Sequence, residues 1–116
     1  MVEDHLDTLN TTARLLRLEG YPVYTALGFA EALGVAARHP FDILVADIGL
    51  ADGDGCDLMK TLASLYRIKG IALTAHGFPV DVERCTQAGF SMHMLKPVSI
   101  VKVTAALREV WLGFAP

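Results

Sequence analysis

Only two cysteines, Cys56 and Cys85, occur among the 116 residues, and their spacing matches neither a zinc knuckle nor a CxxC redox pair. Two reduced, half-buried thiols are expected rather than a disulfide. No run of like charge is long enough to form a stripe for nucleic acid. Ten basic residues stand against thirteen acidic ones, a net charge of -3, so direct DNA binding is not expected of this chain. No apolar stretch approaches the roughly 20 residues needed to cross a bilayer, because charges and prolines interrupt every candidate. The first residues, Met-Val-Glu-Asp-His, are unlike the basic and apolar start of a secretion signal. A cytoplasmic location is the expectation. Hydrophobic residues are plentiful, at 53%. A chain of this length can bury one continuous core but not two, so one domain over residues 1–116 is expected.

Leu6, Leu9, Ala13, Leu16 and Leu18 recur near helical spacing, and Gly20 stands where a helix commonly stops. A first helix over 5–19 follows. The aromatic and β-branched stretch Tyr21 to Ala26 suits a strand. A helix is predicted from Phe29 to His39, closed by Pro40. Residues 41–46 are too short an apolar run for a core helix and read as a strand buried on both faces. Asp47 to Gly55 is rich in glycine and reads as a loop. A helix from Cys56 to Tyr66, a strand over Gly70 to Thr74, a helix from Val80 to Ala88 and a strand from Phe90 to Leu95 come next. Ser99 is placed to cap a last helix running to Leu112.

Strand and helix alternate through short connections, which implies a parallel sheet covered on both faces. In such sheets a ligand site lies beyond the carboxyl ends of the strands. Reading off those ends collects Glu3 and Asp4, then Asp47, Thr74 and Lys96. Three carboxylates about 5 Å apart repel by roughly 3 kcal/mol per pair at an effective dielectric near 20. A cation joining them relieves that, and Mg2+ suits oxygen ligands shared between carboxylates and a phosphate. Phosphoryl transfer needs an in-line nucleophile and neutralised charge, and little else. Asp47, ending the most apolar strand before a glycine-rich loop, is the natural nucleophile. Asp4 and Glu3 would hold the metal, Thr74 would bond the transferred group, and Lys96 would pair with its charge.

These pieces resemble the receiver domains of two-component response regulators, and the resemblance covers essentially the whole chain. They are the acidic pair in Val2-Glu3-Asp4-His5, the Ala46-Asp47-Ile48-Gly49-Leu50 segment with Gly53 and Gly55 after it, Ala72-Leu73-Thr74-Ala75, and Leu95-Lys96-Pro97. The resemblance implies a flavodoxin-like, doubly wound five-stranded parallel sheet in the order 2-1-3-4-5. It implies Mg2+ as cofactor, and an aspartyl phosphate on Asp47 drawn from a histidine kinase or phosphotransfer protein. It further implies the backbone carbonyl of Gly49 as a metal ligand alongside Glu3, Asp4 and Asp47, and a cis peptide between Lys96 and Pro97. Such a domain is not a turnover enzyme; it catalyses its own phosphorylation and dephosphorylation.

Two departures stand out. Only Met1 and Val2 precede the acidic pair, so the first, central strand is truncated. His93, three residues before Lys96, stands where many receivers carry the Tyr or Phe that reorients on phosphorylation. The Gly89–Pro97 context around His93 resembles receivers attached to hybrid histidine kinases. With His76 in the loop after Thr74, and Pro97, His93 forms the expected switch or partner surface.

Asp52-Gly53-Asp54-Gly55-Cys56-Asp57 is not a calcium loop, because the twelfth position from Asp52 is Ala63 rather than Glu. Asp47 alone reads as a loop-initiating aspartate, and Glu3 with Asp4 as an acidic helix start. Lys96 alone reads as a solvated cation. His5, His39, His76 and His93 have no metal-ligand spacing. Trp111 and Phe114 are expected to pack against the sheet, the alternative being an exposed patch for a homodimer. A pseudo-receiver, an unphosphorylated interaction module, is the rival function. A flavin-binding module is disfavoured because an anionic cofactor would meet carboxylates.

Overall fold

The computed structural model describes residues 1–113; Phe114, one of the two aromatics weighed for packing near the carboxyl end, lies outside them. Among the described residues, five helices and five strands follow in the order α1 (Leu6–Leu18), α2 (Phe29–Arg38), β1 (Ile43–Asp47), β2 (Gly49–Leu50), β3 (Gly53–Asp54), α3 (Gly55–Leu65), β4 (Lys69–Thr74), α4 (Pro79–Ala88), β5 (Met92–Leu95) and α5 (Ile100–Leu112). The strands β1, β4 and β5 form a parallel sheet in that order. Val2 extends it by isolated parallel bridges to Ala46 on one side and Ala26 on the other. The order across the sheet is therefore that of a doubly wound flavodoxin-like fold, 2-1-3-4-5, with the first two positions reduced to bridges.

Alternation within the strands divides the core in two. Leu44, Ala46 and Ala72 face one side, against Ala32 and Ala36 of α2, Leu58, Met59 and Leu62 of α3, and Cys85 and Ala88 of α4. Val45, Ile71 and Leu73 face the other, against Leu16 of α1 and Val103, Ala106, Leu107 and Val110 of α5. Burial on both faces explains why these strands read as unbroken apolar runs. Helix ends follow their local chemistry. Gly20, just past α1, takes a positive φ of 97°, and the Ser99 hydroxyl caps α5 by accepting from the Lys102 N–H at 3.2 Å.

Four expectations are corrected. Tyr21 to Ala26 is not a regular strand, because its neighbour in the sheet offers only Val2 for pairing. The Asp47–Gly55 loop is more ordered than its glycines imply. Asp47 closes β1, β2 and β3 pair as a two-residue antiparallel hairpin, and Gly55 already belongs to α3. The last sheet strand starts at Met92 rather than Phe90. Trp111 is 54% exposed instead of packed on the sheet. Below Val2, between residues 21–26 and β1, lies a largely apolar cavity of about 470 Å³ lined by Tyr21, Val23, Ile43, Leu107 and Trp111, among others.

Candidate functional site

All five strand-end residues singled out in the sequence sit at the carboxyl end of the sheet, and the side chains of Glu3, Asp47 and Lys96 make direct contact. Asp47, the last residue of β1, is buried. Its Oδ2 pairs with the Lys96 ammonium at 2.5 Å, and its Oδ1 accepts from the Gly49 N–H at 3.2 Å. Lys96 follows β5 immediately, held by its own N–H to the Thr74 carbonyl at 2.8 Å. Its Nζ also lies 3.0 Å from Glu3 Oε2. The Lys96–Pro97 peptide is cis, as the resemblance implies. Lys96 is thus no freely solvated cation: its side chain is 25% exposed and sits between two carboxylates.

Glu3 is placed by backbone bonds on both sides, its N–H donating to the Ala26 carbonyl at 3.2 Å while neighbouring Val2 bonds to Val45 and Asp47. Its side chain is buried, with Oε1 at 2.9 Å from His5 Nδ1. His5 Nδ1 also lies 3.2 Å from Asp4 Oδ1. Burial pushes the Glu3 carboxyl up, but the His5 ring and the Lys96 ammonium outweigh it and hold the group below its ordinary value. Lys96 is the mirror case: burial pulls its pKa down, and Asp47 and Glu3 more than reverse this. His5 is raised by its bond to Glu3 and by the nearby charge of Asp4.

Three buried oxygens at this end of the sheet lack a hydrogen-bond partner: Glu3 Oε2, Asp4 Oδ1 and Thr74 Oγ1. Glu3 Oε2 faces Lys96 as an ion pair without an oriented hydrogen bond. Orphaned buried acceptors are uncommon in native structures and call for an ion or ligand. Carboxylate donors with incomplete partners suit a hard divalent cation, so the residues fit Mg2+. Among the described residues, the donors gathered within 4.8 Å of one another are those of Glu3, Asp4 and His5. Asp47 joins that group through Lys96.

The acidic run after Asp47 serves structure. Asp52 accepts from the Phe29 and Ala30 N–H groups at 2.7 and 3.1 Å, capping α2 from across the fold. Gly28, the N-cap residue, has no side chain to do so, and a Cβ there would sit 2.6 Å from Asp52 Oδ1. Asp54 caps α3 through the Cys56 N–H at 2.6 Å and pairs with Arg84 of α4. Gly55 is required where it stands: a Cβ would lie 2.4 Å from the Asp47 carbonyl oxygen and 2.6 Å from Ile48 Cα. The sequence reading missed both caps and the contact of His5 with the acidic pair. An Asp immediately before a helix start is the signal that could have found Asp54.

His76 and His93, expected at the switch surface, are exposed; His93 lies on β5 opposite Ala72, and His76 stacks on Phe78. Pro97 is exposed beside them in sequence. No described helix is long and apolar enough to cross a membrane.

Comparison with known proteins places this geometry in a lineage. The family model described as "Response regulator receiver domain" matches residues 1–108. The polar-differentiation response regulator DivK of Brucella ovis is 30% identical over 118 residues, covering 99% of this chain and 95% of that protein. The transcriptional regulatory protein KdpE of Mycobacterium tuberculosis is 32% identical over 108 residues, covering 93% of this chain. The chain spans about half, 48%, of KdpE's length. Among solved structures, a CheY-like receiver domain protein from Methanospirillum hungatei superposes with a TM-score of 0.87 at 27% identity, covering 93% of this chain and 87% of that one. A Burkholderia pseudomallei response regulator, described with a phosphorylated aspartic acid, a calcium ion and citrate, gives 0.85 at 26% identity, covering 98% and 70%. The chain belongs to the response regulator receiver domain family.

Proposed function

We propose that residues 1–116 form one receiver unit of a two-component phosphorelay, with Asp47 as phosphoacceptor. A phosphohistidine on a histidine kinase or phosphotransfer protein is the donor. An Asp47 carboxylate oxygen attacks phosphorus, a P–O bond forms as the P–N bond breaks, and the leaving imidazole takes a proton. Water attack on the same phosphorus returns the free carboxylate. The observation that carries this reading is the Lys96 ammonium 2.5 Å from Asp47 and 3.0 Å from Glu3. That ammonium can pass from a carboxylate oxygen to a phosphoryl oxygen while Glu3 keeps it in place. Thr74 would donate to the transferred group, a role supported by its buried, unpartnered hydroxyl at the end of β4.

Glu3, Asp4, Asp47 and the Gly49 carbonyl would hold Mg2+. When bound, the ion would supply charge neutralisation to the transferred phosphoryl group. The loop after Thr74, with His76, and the β5 surface with His93 and Pro97 would carry the change to a partner. Exposed Trp111 adds an apolar spot for self-association. Incubation with a small acyl phosphate and Mg2+, followed by intact mass, tests the proposal: one phosphoryl group is expected on wild type and none on Asp47→Ala. Absence of the added mass on wild type would favour the unphosphorylated pseudo-receiver.

A further inference from the structure

The β2–β3 hairpin that follows Asp47 is tied both to the acceptor and to a distant helix. On the acceptor side, the Gly49 N–H donates to Asp47 Oδ1 at 3.2 Å, and the Gly55 N–H closes the hairpin on the Ile48 carbonyl at 2.9 Å. Lys96 takes the other oxygen, Oδ2. Gly49 and Lys96 between them therefore set which way the Asp47 carboxylate faces. Gly49 is in turn paired across the hairpin with Asp54. The two oxygens of Asp54 serve different helices: Oδ1 accepts from the Cys56 N–H at the start of α3, and Oδ2 pairs with Arg84 of α4. A helix N-cap needs only the first of these bonds. The second crosses 30 residues of chain to a helix that Asp54 does not cap. An ion pair with side chains 47% and 32% exposed adds little to stability. What it does supply is a fixed separation between α4 and the hairpin.

We propose that Arg84 is a positioning residue for the phosphoacceptor, acting through Asp54 and Gly49 on the orientation of the Asp47 carboxylate. The inference rests on the reading of Asp47 as the group that accepts the phosphoryl group. In-line attack needs one carboxylate oxygen aimed at phosphorus, and a small misdirection of a reacting atom lowers the rate within the bound complex. With Arg84 removed, the hairpin keeps its internal bonds but loses its tie to α4. Gly49 then moves more freely, and Lys96 alone holds Asp47 firmly. The same route runs in reverse: a displacement of α4 that draws Arg84 away from Asp54 reaches the acceptor through the hairpin.

Two measurements on the whole protein test this in wild type, Arg84→Gln, Arg84→Lys and Asp54→Asn. Asn can still cap α3, so Asp54→Asn removes the ion pair and keeps the cap. Amide hydrogen exchange followed by NMR reads Gly49 directly and needs no phosphorylation. Exchange at Gly49 is expected to be about threefold or more faster in Arg84→Gln and Asp54→Asn, with the core amides of Ile71 and Leu73 unchanged. The initial rate of phosphorylation by a small acyl phosphate with Mg2+, read by intact mass, should fall about threefold or more at saturating donor. The donor concentration for half that rate should stay within about twofold of wild type. Arg84→Lys should recover most of both losses, and combining Arg84→Gln with Asp54→Asn should be no worse than either alone. Wild-type exchange at Gly49 or a wild-type maximal rate in Arg84→Gln would overturn the proposal while leaving Asp47 as acceptor. Equal acceleration at Gly49, Ile71 and Leu73 would also overturn it, by reducing the effect to global stability. If wild type gains no phosphoryl mass, the reading of Asp47 falls, and this proposal with it.

Discussion

The Lys96 ammonium closes on the Asp47 carboxylate at 2.5 Å, across 49 residues of chain. It joins the end of β5 to the end of β1, and the same nitrogen lies 3.0 Å from buried Glu3. Removing the cation leaves two carboxylates facing each other with little water. Lys96→Met should lower stability by about 1–3 kcal/mol at neutral pH. Urea unfolding measures it, and added Mg2+ should recover part of the loss. An unchanged midpoint would mean that the pair contributes nothing.

Gly55 couples the start of α3 to the acceptor's backbone. A methyl group there meets the Asp47 carbonyl at 2.4 Å, and neither atom belongs to a flexible side chain. Gly55→Ala should cost about 1–3 kcal/mol through overpacking. It should also slow phosphorylation at saturating phosphodonor, read by timed intact mass, because Asp47 must shift. Wild-type stability and rate would count against so tight an approach.

Asp52 caps a helix to which it is not adjacent. Asp52→Ala should lower the thermal midpoint by leaving the Phe29 and Ala30 N–H groups unpaired. Gly28→Ala should be damaging in wild type and milder in the Asp52→Ala background, since its Cβ meets the Asp52 carboxylate. Additive effects in this double-mutant cycle would break the link.

Acid should weaken the α3–α4 junction. Burial raises the Asp54 carboxyl, but Arg84 and the Cys56 N–H outweigh it, so its folded pKa lies below its ordinary value. Such a group contributes stability above the unfolded pKa, near 4, and loses it as pH falls through the lower folded value. The stability gap between wild type and Asp54→Asn should therefore be constant from about pH 5 upward and shrink below about pH 4. A gap that grows on acidification would reverse the assigned sign.

Much of this arrangement was legible in the residues. The helices declared themselves through apolar spacing and punctuation such as Gly20, Pro40 and Ser99. The strands at Leu44–Ala46 and Ile71–Leu73 were readable because burial on both faces leaves an unbroken apolar run. The polar residues ending them, Asp47, Thr74 and Lys96, marked the site. Tyr21 to Ala26 failed because a strand needs a partner as well as propensity, and only Val2 is there to pair. Asp52 escaped notice because the helix it caps starts 23 residues earlier. His5 was dismissed on spacing along the chain, whereas its contact with Glu3 depends on how the backbone turns into α1.

The most direct test of the account is the location of the phosphoryl group. Borohydride reduces an aspartyl phosphate to homoserine, which peptide mass spectrometry can place. After treatment with phosphodonor and Mg2+, homoserine is predicted at position 47 and at no other acidic residue. Homoserine at Asp4, Asp52 or Asp54 with Asp47 unmodified would contradict the assignment, as would phosphodonor treatment that leaves every aspartate unchanged.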